Sequence, residues 1–145
     1  MGEPRTDLEW LGAAVELSRR CPPSATAFSV GAILVAGGAE LASGYSREDD
    51  PTEHAEEAAL RKVAAVPDGA TLYSSLEPCG GRASRPLPCA RLIVQAGIRR
   101  VVYALREPAT FAAGGGDALL RQAGVEVVEL PELAGAVREV NAHLR

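Results

Sequence analysis

Aromatic residues are scarce in this sequence: two Phe, three Tyr and one Trp make up 4% of its 145 residues. With 47% of the chain hydrophobic, the core must be built mainly from Ala, Val, Leu and Ile. Long apolar runs are missing too. None reaches the ~18 residues of a membrane-spanning helix, so no span is expected. Met1 to Glu9 is polar and mixed in charge, unlike a secretory signal. An excess of positive charge is also lacking. Fifteen basic and 19 acidic residues give a net charge of −4, which argues against a protein held to nucleic acid by a broad basic surface. Cysteine is rare and odd in number, at three. That suits a reducing cytoplasm better than a disulfide scaffold, so a cytoplasmic location is expected. The length fits one domain, 1–145, with an adequate core.

What is present alternates between helical and strand patterns. Leu8, Leu11, Ala14, Val15 and Leu17 recur at helical spacing and predict an amphipathic helix from about Asp7 to Arg20. Cys21-Pro22-Pro23 stops it. Two apolar runs follow, Phe28 to Ala36 and Glu40 to Tyr45, with Gly37-Gly38 between them as a hairpin turn. Thr52 is the expected N-cap of a helix running to about Ala65. Thr71 to Leu76 reads as a third strand, Pro88 to Ala96 as a helix ended by Gly97, and Arg100 to Leu105 as a fourth strand. Gly116 to Ala123 reads as a helix, Val125 to Leu130 as a fifth strand, and Pro131 to His143 as a last helix. A helix between the fourth and fifth strands allows them to be parallel through a right-handed crossover. The expected fold is α/β, a three-layer α/β/α sandwich around a mixed five-stranded sheet.

The chemistry is concentrated in His54-Ala55-Glu56, Pro78-Cys79 and Cys89. One imidazole nitrogen and two thiolates can hold a Zn²⁺ and leave the fourth tetrahedral position open. An open position on zinc takes a water and lowers its pKa toward neutrality. Glu56, two residues from His54, can then shuttle protons. Each of these residues has a plainer reading when taken alone. His54 and Glu56 could be ordinary residues of a helix start, and Cys79 and Cys89 two buried thiols. The combination outweighs these, and one zinc per chain is expected. A purely structural zinc would need a fourth protein ligand, for which only Cys21 and His143 are available. Both are more simply read as a small core residue and a surface residue. Glu57 is read as solvated. Gly114-Gly115-Gly116 lacks the Lys-Ser/Thr that follows a phosphate loop and is read as a flexible lead-in to a helix.

The His-x-Glu and Pro-Cys grouping is the recognised signature of zinc deaminases. Over nearly its whole length the chain resembles the cytidine deaminase-like superfamily. Within it the likeness is to the deaminase half of the bifunctional riboflavin biosynthesis enzyme, a diaminohydroxyphosphoribosylaminopyrimidine deaminase. Val30 to Val35, His54 to Glu56, Leu76 to Cys79, Pro88-Cys89-Ala90, Ala96 to Val102, Gln122 to Val127 and Val140-Asn141 carry it. The long gap between Cys79 and Cys89, nine residues here, is typical of that branch, which usually has eight. Other stretches depart from it. Ala27-Phe28-Ser29 replaces a Pro-Asn-Pro element, Ser46 stands where many relatives have Asn, and Glu107 to Thr110 replaces an Asp-Pro-Asn-Pro. Gly80 to Arg85 lacks the usual His, and Asp50-Pro51-Thr52 is similar to tRNA-adenosine and guanine deaminases.

The resemblance implies hydrolytic deamination of an amino-substituted pyrimidine-type ring, as base, nucleoside or nucleotide, with release of ammonia. It implies His54, Cys79 and Cys89 as zinc ligands and Glu56 as acid/base. It also implies substrate contacts from the Ala55 N–H, the Pro78 carbonyl, Phe28 and Ser46. Arg82 and Arg85 lie between two ligands and are candidates to hold a substrate phosphate or carboxylate bidentately. A homodimer or higher homo-oligomer is expected, with no membrane or nucleic-acid partner. The competing readings are a purine, guanine or tRNA adenosine deaminase, and an inactive zinc-stabilised binding or scaffold domain.

Overall fold

The structure is a computed structural model, and it describes residues 5–80, 88–106 and 115–144. Thr6 opens the first helix. Its Oγ1 accepts the Glu9 N–H while the Glu9 carboxylate accepts the Thr6 N–H, a reciprocal capping box. Helix α1 is Asp7–Leu17, and a 3₁₀ turn over Ser18–Arg20 replaces the last expected α-helical turn. Strand β1 (Gly31–Ala36) pairs antiparallel with β2 (Ala39–Tyr45). Gly37 and Gly38 join them at φ of 60° and 76°, the left-handed geometry of a tight hairpin. β1 begins three residues later than the apolar run at Phe28, because the N–H groups of residues 29 and 30 donate to side chains. The Ser29 N–H donates to Asn141 Oδ1 and the Val30 N–H to Ser46 Oγ.

Helix α2 (Ala55–Leu60) is shorter than expected and is capped by His54, not Thr52. The Thr52 N–H and hydroxyl both donate to Asp50 Oδ1, so that side chain is spent two residues too early. Ala55, Ala58 and Ala59 are fully buried, which lets α2 lie close on β2. A Cβ on Gly44 would sit 2.5 Å from the Ala59 nitrogen. Then follow β3 (Thr71–Leu76), α3 (Cys89–Gln95), β4 (Arg100–Leu105), α4 (Gly116–Gln122), β5 (Glu126–Glu129) and α5 (Ala134–Val140). Short 3₁₀ turns, Pro131–Leu133 and Ala142–Leu144, flank α5 where one longer helix was expected.

The sheet order is β2-β1-β3-β4-β5, with β1 antiparallel to β2 and β3, and β3, β4 and β5 mutually parallel. This is the expected mixed five-stranded α/β/α sandwich. Side-chain alternation along β3 separates its two faces. The Tyr73 hydroxyl reaches Asp7 of α1, while Ser74 Oγ reaches Glu56 of α2. Leu11, Leu34, Leu72, Ile93, Val101 and Leu120 fill the two apolar layers. The register brings the start of β1 and the ends of β2, β3 and β4 to one edge, through the pairs Gly31↔Tyr45, Ala32↔Ser74 and Leu76↔Leu105. Residues 28–30, Ser46 and Glu77 to Cys79 therefore emerge together. No helix among the described residues is long and apolar enough to cross a membrane.

On the α1 face Asp7 accepts two hydrogen bonds from the Arg100 guanidinium (2.9 and 2.6 Å) and one from Tyr73 (2.6 Å). The bidentate Arg100 contact lowers the Asp7 carboxyl to about 2 against the opposing effect of burial. A depressed folded pKa means stability that is present above the unfolded value of 3.8 and lost as pH falls through about 2. The pair is about one-third exposed, so solvent screening holds its worth to on the order of 1 kcal/mol. Asp7→Asn should lower the urea midpoint at neutral pH, and the gap to wild type should narrow between pH 4 and pH 2. A gap that does not change with pH would remove the ion pair from this account.

Candidate metal centre

Three side chains meet at that sheet edge. His54 caps α2, Cys79 follows β3, and Cys89 is the first residue of α3. At the start of α2, Glu57 Oε1 accepts the His54 N–H at 2.8 Å. Glu57, expected to be merely solvated, thus fixes the backbone of a ligand. His54 Nδ1 lies 3.6 Å from Cys79 Sγ and 3.3 Å from Cys89 Sγ. All three donor atoms lie within 4.8 Å of one another. A tetrahedral zinc with Zn–S of about 2.3 Å and Zn–N of about 2.0–2.1 Å separates S and N by about 3.5 Å. The donors thus fit zinc in both type and spacing, with Nδ1 as the ligating nitrogen. No other His, Cys, Asp or Glu among the described residues joins this group. Cys21 donates to the Val30 carbonyl and His143 Nε2 faces the Ala27 carbonyl at 3.0 Å. Both line a separate cavity of about 470 Å³ that includes none of the three ligands. A fourth protein ligand from either is therefore ruled out, and three ligands with an open position are the arrangement of a reactive zinc site.

The end of β3 leads the chain to Cys79, and the helix start expected at Pro88 follows. The structure gives that start to Cys89, and Cys79 lies against it: the Cys89 N–H donates to Cys79 Sγ at 3.2 Å and the Ala90 N–H to the Cys79 carbonyl at 3.0 Å. The two sulfurs divide their protons unequally. A hydrogen bond donated by the Cys89 thiol holds the Cys79 thiol down to about 4, opposed by burial and helped by His54. The same bond and burial push the Cys89 thiol up. Metal binding requires both as thiolates, so it must displace the Cys89 proton.

Glu56 is 3% exposed, beside the donors but not among them. Burial pushes its carboxyl up, His54 pulls it down, and the charge on Cys79 adds to the rise. Ser74 Oγ lies 3.2 Å from Glu56 Oε2 and 2.8 Å from the Leu76 carbonyl. A hydroxyl has one proton and two lone pairs. Ser74 can therefore donate to an ionised Glu56, or accept from a protonated Glu56 while donating to Leu76. It serves both states of an acid/base. Ser74 was not singled out from the sequence, although a Ser-Ser pair inside an apolar strand was a signal that something there needed a polar partner.

The other expected contacts are placed as follows. Ala55 is fully buried at the first position of α2, between His54 and Glu56. Pro78 is fully buried between β3 and Cys79. Ser46 is buried, and its hydroxyl serves the backbone of Val30. Phe28 packs at the border of the core, and its carbonyl accepts from Arg47 Nη1. Arg47 has a φ of 60° and also bonds Pro22 and Ser29. Arg82 and Arg85 lie outside the described residues.

The family described as the cytidine and deoxycytidylate deaminase zinc-binding region matches residues 4–105. The chain is 36% identical over 132 residues to the diaminohydroxyphosphoribosylamino-pyrimidine deaminase of Schizosaccharomyces pombe, covering 88% of this chain and 33% of that protein. It thus spans about a third of the length of that relative. Among solved structures, the diaminohydroxyphosphoribosylaminopyrimidine deaminase/5-amino-6-(5-phosphoribosylamino)uracil reductase of Thermotoga maritima superposes with a TM-score of 0.78 at 32% identity, over 90% of this chain and 38% of that one. The Rib2 deaminase of Aspergillus oryzae, solved in complex with DARIPP, superposes with a TM-score of 0.80 at 27% identity, over 92% of this chain and 88% of that one.

Proposed function

The chain belongs to the cytidine and deoxycytidylate deaminase zinc-binding family, and from that premise we propose that it is a zinc-dependent hydrolytic deaminase of an amino-substituted pyrimidine. The observation that carries the proposal is the buried Glu56 carboxylate beside a three-donor set that leaves one zinc position open. When bound, zinc supplies Lewis-acid activation of a water molecule. Glu56 takes a proton from that water and gives it to a ring nitrogen. The water oxygen bonds to the ring carbon bearing the amino group. Glu56 then carries the second proton to the departing nitrogen, the C–N bond breaks, ammonia leaves and a ring carbonyl remains. Ser74 keeps Glu56 hydrogen-bonded through the cycle. The Ala55 N–H and the Pro78 carbonyl are assigned to the ring and its amine, and Phe28 and Ser46 to the pocket wall.

The name of the Schizosaccharomyces pombe relative favours a pyrimidine carrying a phosphoribosyl chain. Arg82 and Arg85 are assigned to that anion. A location that keeps thiols reduced, the cytoplasm, and a homodimer complete the proposal. Ammonia release should be measured on aminopyrimidine bases, nucleosides and nucleotides, on guanine and on an adenosine-bearing RNA hairpin. We expect release from pyrimidines, fastest with a phosphorylated one, and release from guanine or RNA alone would overturn the substrate assignment. Arg82→Ala and Arg85→Ala should each cost the anionic substrate about tenfold to a hundredfold in kcat/KM and spare its neutral counterpart. Equal losses on both would return the two Arg to the solvated loop.

A further inference from the structure

The turn that carries Cys79 is held from outside the metal centre, by the first residues of α4. Glu77 leaves β3 by donating its N–H to the Leu105 carbonyl at 2.8 Å. Its buried side chain then turns toward α4, where Oε2 accepts the Asp117 N–H at 2.8 Å. The N-cap of α4 is Gly115, which has no side chain to satisfy that helix-end donor. A carboxylate 40 residues earlier in the chain supplies the cap instead. Asp117 is itself held by the Tyr103 hydroxyl at 2.7 Å and by Arg121 Nε at 2.6 Å. Between these anchors the backbones meet. A Cβ on Gly116 would lie 1.6 Å from the Pro78 oxygen, 2.7 Å from the Pro78 carbonyl carbon and 3.3 Å from the Cys79 carbonyl carbon.

We propose that Glu77 and Gly116 are positioning residues, and that α4 is the stop against which the Pro78 carbonyl and Cys79 Sγ are set. This rests on the metal centre proposed above. The Pro78 carbonyl is pressed directly on the Gly116 Cα, so its direction is fixed by backbone and not by a movable side chain. A methyl group at Gly116 would force the carbonyl or the helix back by roughly 1.8 Å or more to reach ordinary contact. Metal–ligand distances tolerate about 0.2 Å. The displacement demanded is several times that tolerance, and it falls one residue before a ligand. Glu77 acts from the other side. It ties the same turn to α4 through an acceptor oxygen, so an amide in its place can keep the contact and a methyl group cannot.

The test is equilibrium cobalt binding to the full chain, read by the absorption of the cobalt–thiolate centre and run without substrate. Gly116→Ala should bind cobalt at least about tenfold more weakly, with an altered spectrum. Gly12→Ala is the control, since a Cβ there meets nothing within 4 Å, and it should match wild type. Glu77→Ala should weaken binding as Gly116→Ala does. Glu77→Gln should restore wild-type affinity and spectrum, which a loss of general stability would not produce. If Gly116→Ala fails to fold, the two Glu77 variants decide. A folded Gly116→Ala with wild-type affinity and spectrum overturns the proposal. So does Glu77→Ala indistinguishable from wild type, or Glu77→Gln as weak as Glu77→Ala. Wild-type protein that binds no cobalt would instead overturn the metal centre, and one that binds cobalt but releases no ammonia would overturn only the deaminase reading.

Discussion

Glu56→Gln is expected to keep its zinc and its fold and to lose turnover by at least about 10²–10⁴-fold, the usual worth of general acid–base catalysis. The proposed mechanism asks Glu56 for two proton transfers, so the loss should lie at the upper end or beyond it. The variant separates chemistry from structure because the two demands on this residue conflict. A carboxylate that is 3% exposed has been taken out of water at a cost, and Ser74 bonds it. The isosteric amide keeps that hydrogen bond and removes the charge. Glu56→Gln should therefore melt at or above the wild-type temperature while failing to release ammonia. Zinc analysis, a thermal melt and an ammonia assay on one preparation check all three statements. Near-normal turnover would remove Glu56 from the mechanism. A loss of zinc would mean that it is a ligand.

Cys89→Ala should have the opposite profile, losing metal and much of the stability together. Cys89 is fully buried, begins α3 and faces His54 Nδ1 at 3.3 Å. Removing one of three protein donors leaves too few to retain zinc against a chelator. Ligand binding to the native state alone stabilises it by RT ln(1 + [L]/Kd), about 4 kcal/mol at a thousandfold excess over Kd. The wild type should thus contain about one zinc per chain and melt well above Cys89→Ala. Wild type stripped by chelator should fall toward the variant. Because burial and the Cys79 contact raise the Cys89 thiol, zinc binding should also release protons and weaken as pH falls. Calorimetric titrations in two buffers of different ionisation enthalpy measure that release. Full zinc occupancy in Cys89→Ala would sink the ligand assignment.

The sequence made some of these features legible and hid others, for physical reasons. β3 and β4 match their expected bounds, Thr71 to Leu76 and Arg100 to Leu105, because both are short, buried strands that start just after a glycine turn. The metal donors were legible because zinc chemistry restricts residue type and leaves little else those residues could be doing together. The cap of α2 was misplaced because Thr52, the better N-cap residue type, lies just before His54. Its outcome turns on Asp50 and Glu57, whose hydrogen bonds local pattern does not rank. Long-range polar contacts were invisible. Asn141 clamps Ser29 across 112 residues, and Glu77 caps α4 across 40. Periodicity shows which face of a segment is buried, but not which segment covers it. Gly116 illustrates this most clearly. Read along the chain it belongs to a flexible glycine run. In the fold it is the one residue small enough to let α4 touch the Pro78 carbonyl.

The central claim is that this chain hydrolyses a ring amine at a zinc held by His54, Cys79 and Cys89. The most direct measurement follows the oxygen and the nitrogen of one turnover together. Protein stripped by chelator, and the same protein given back one equivalent of zinc, would be incubated with the phosphorylated aminopyrimidine in ¹⁸O-labelled water. The stripped protein should give no reaction. With zinc, one ammonia per product and a single ¹⁸O in the new ring carbonyl are expected. Ammonia release that is indifferent to zinc, or a product carbonyl without the label, would contradict zinc-dependent hydrolysis.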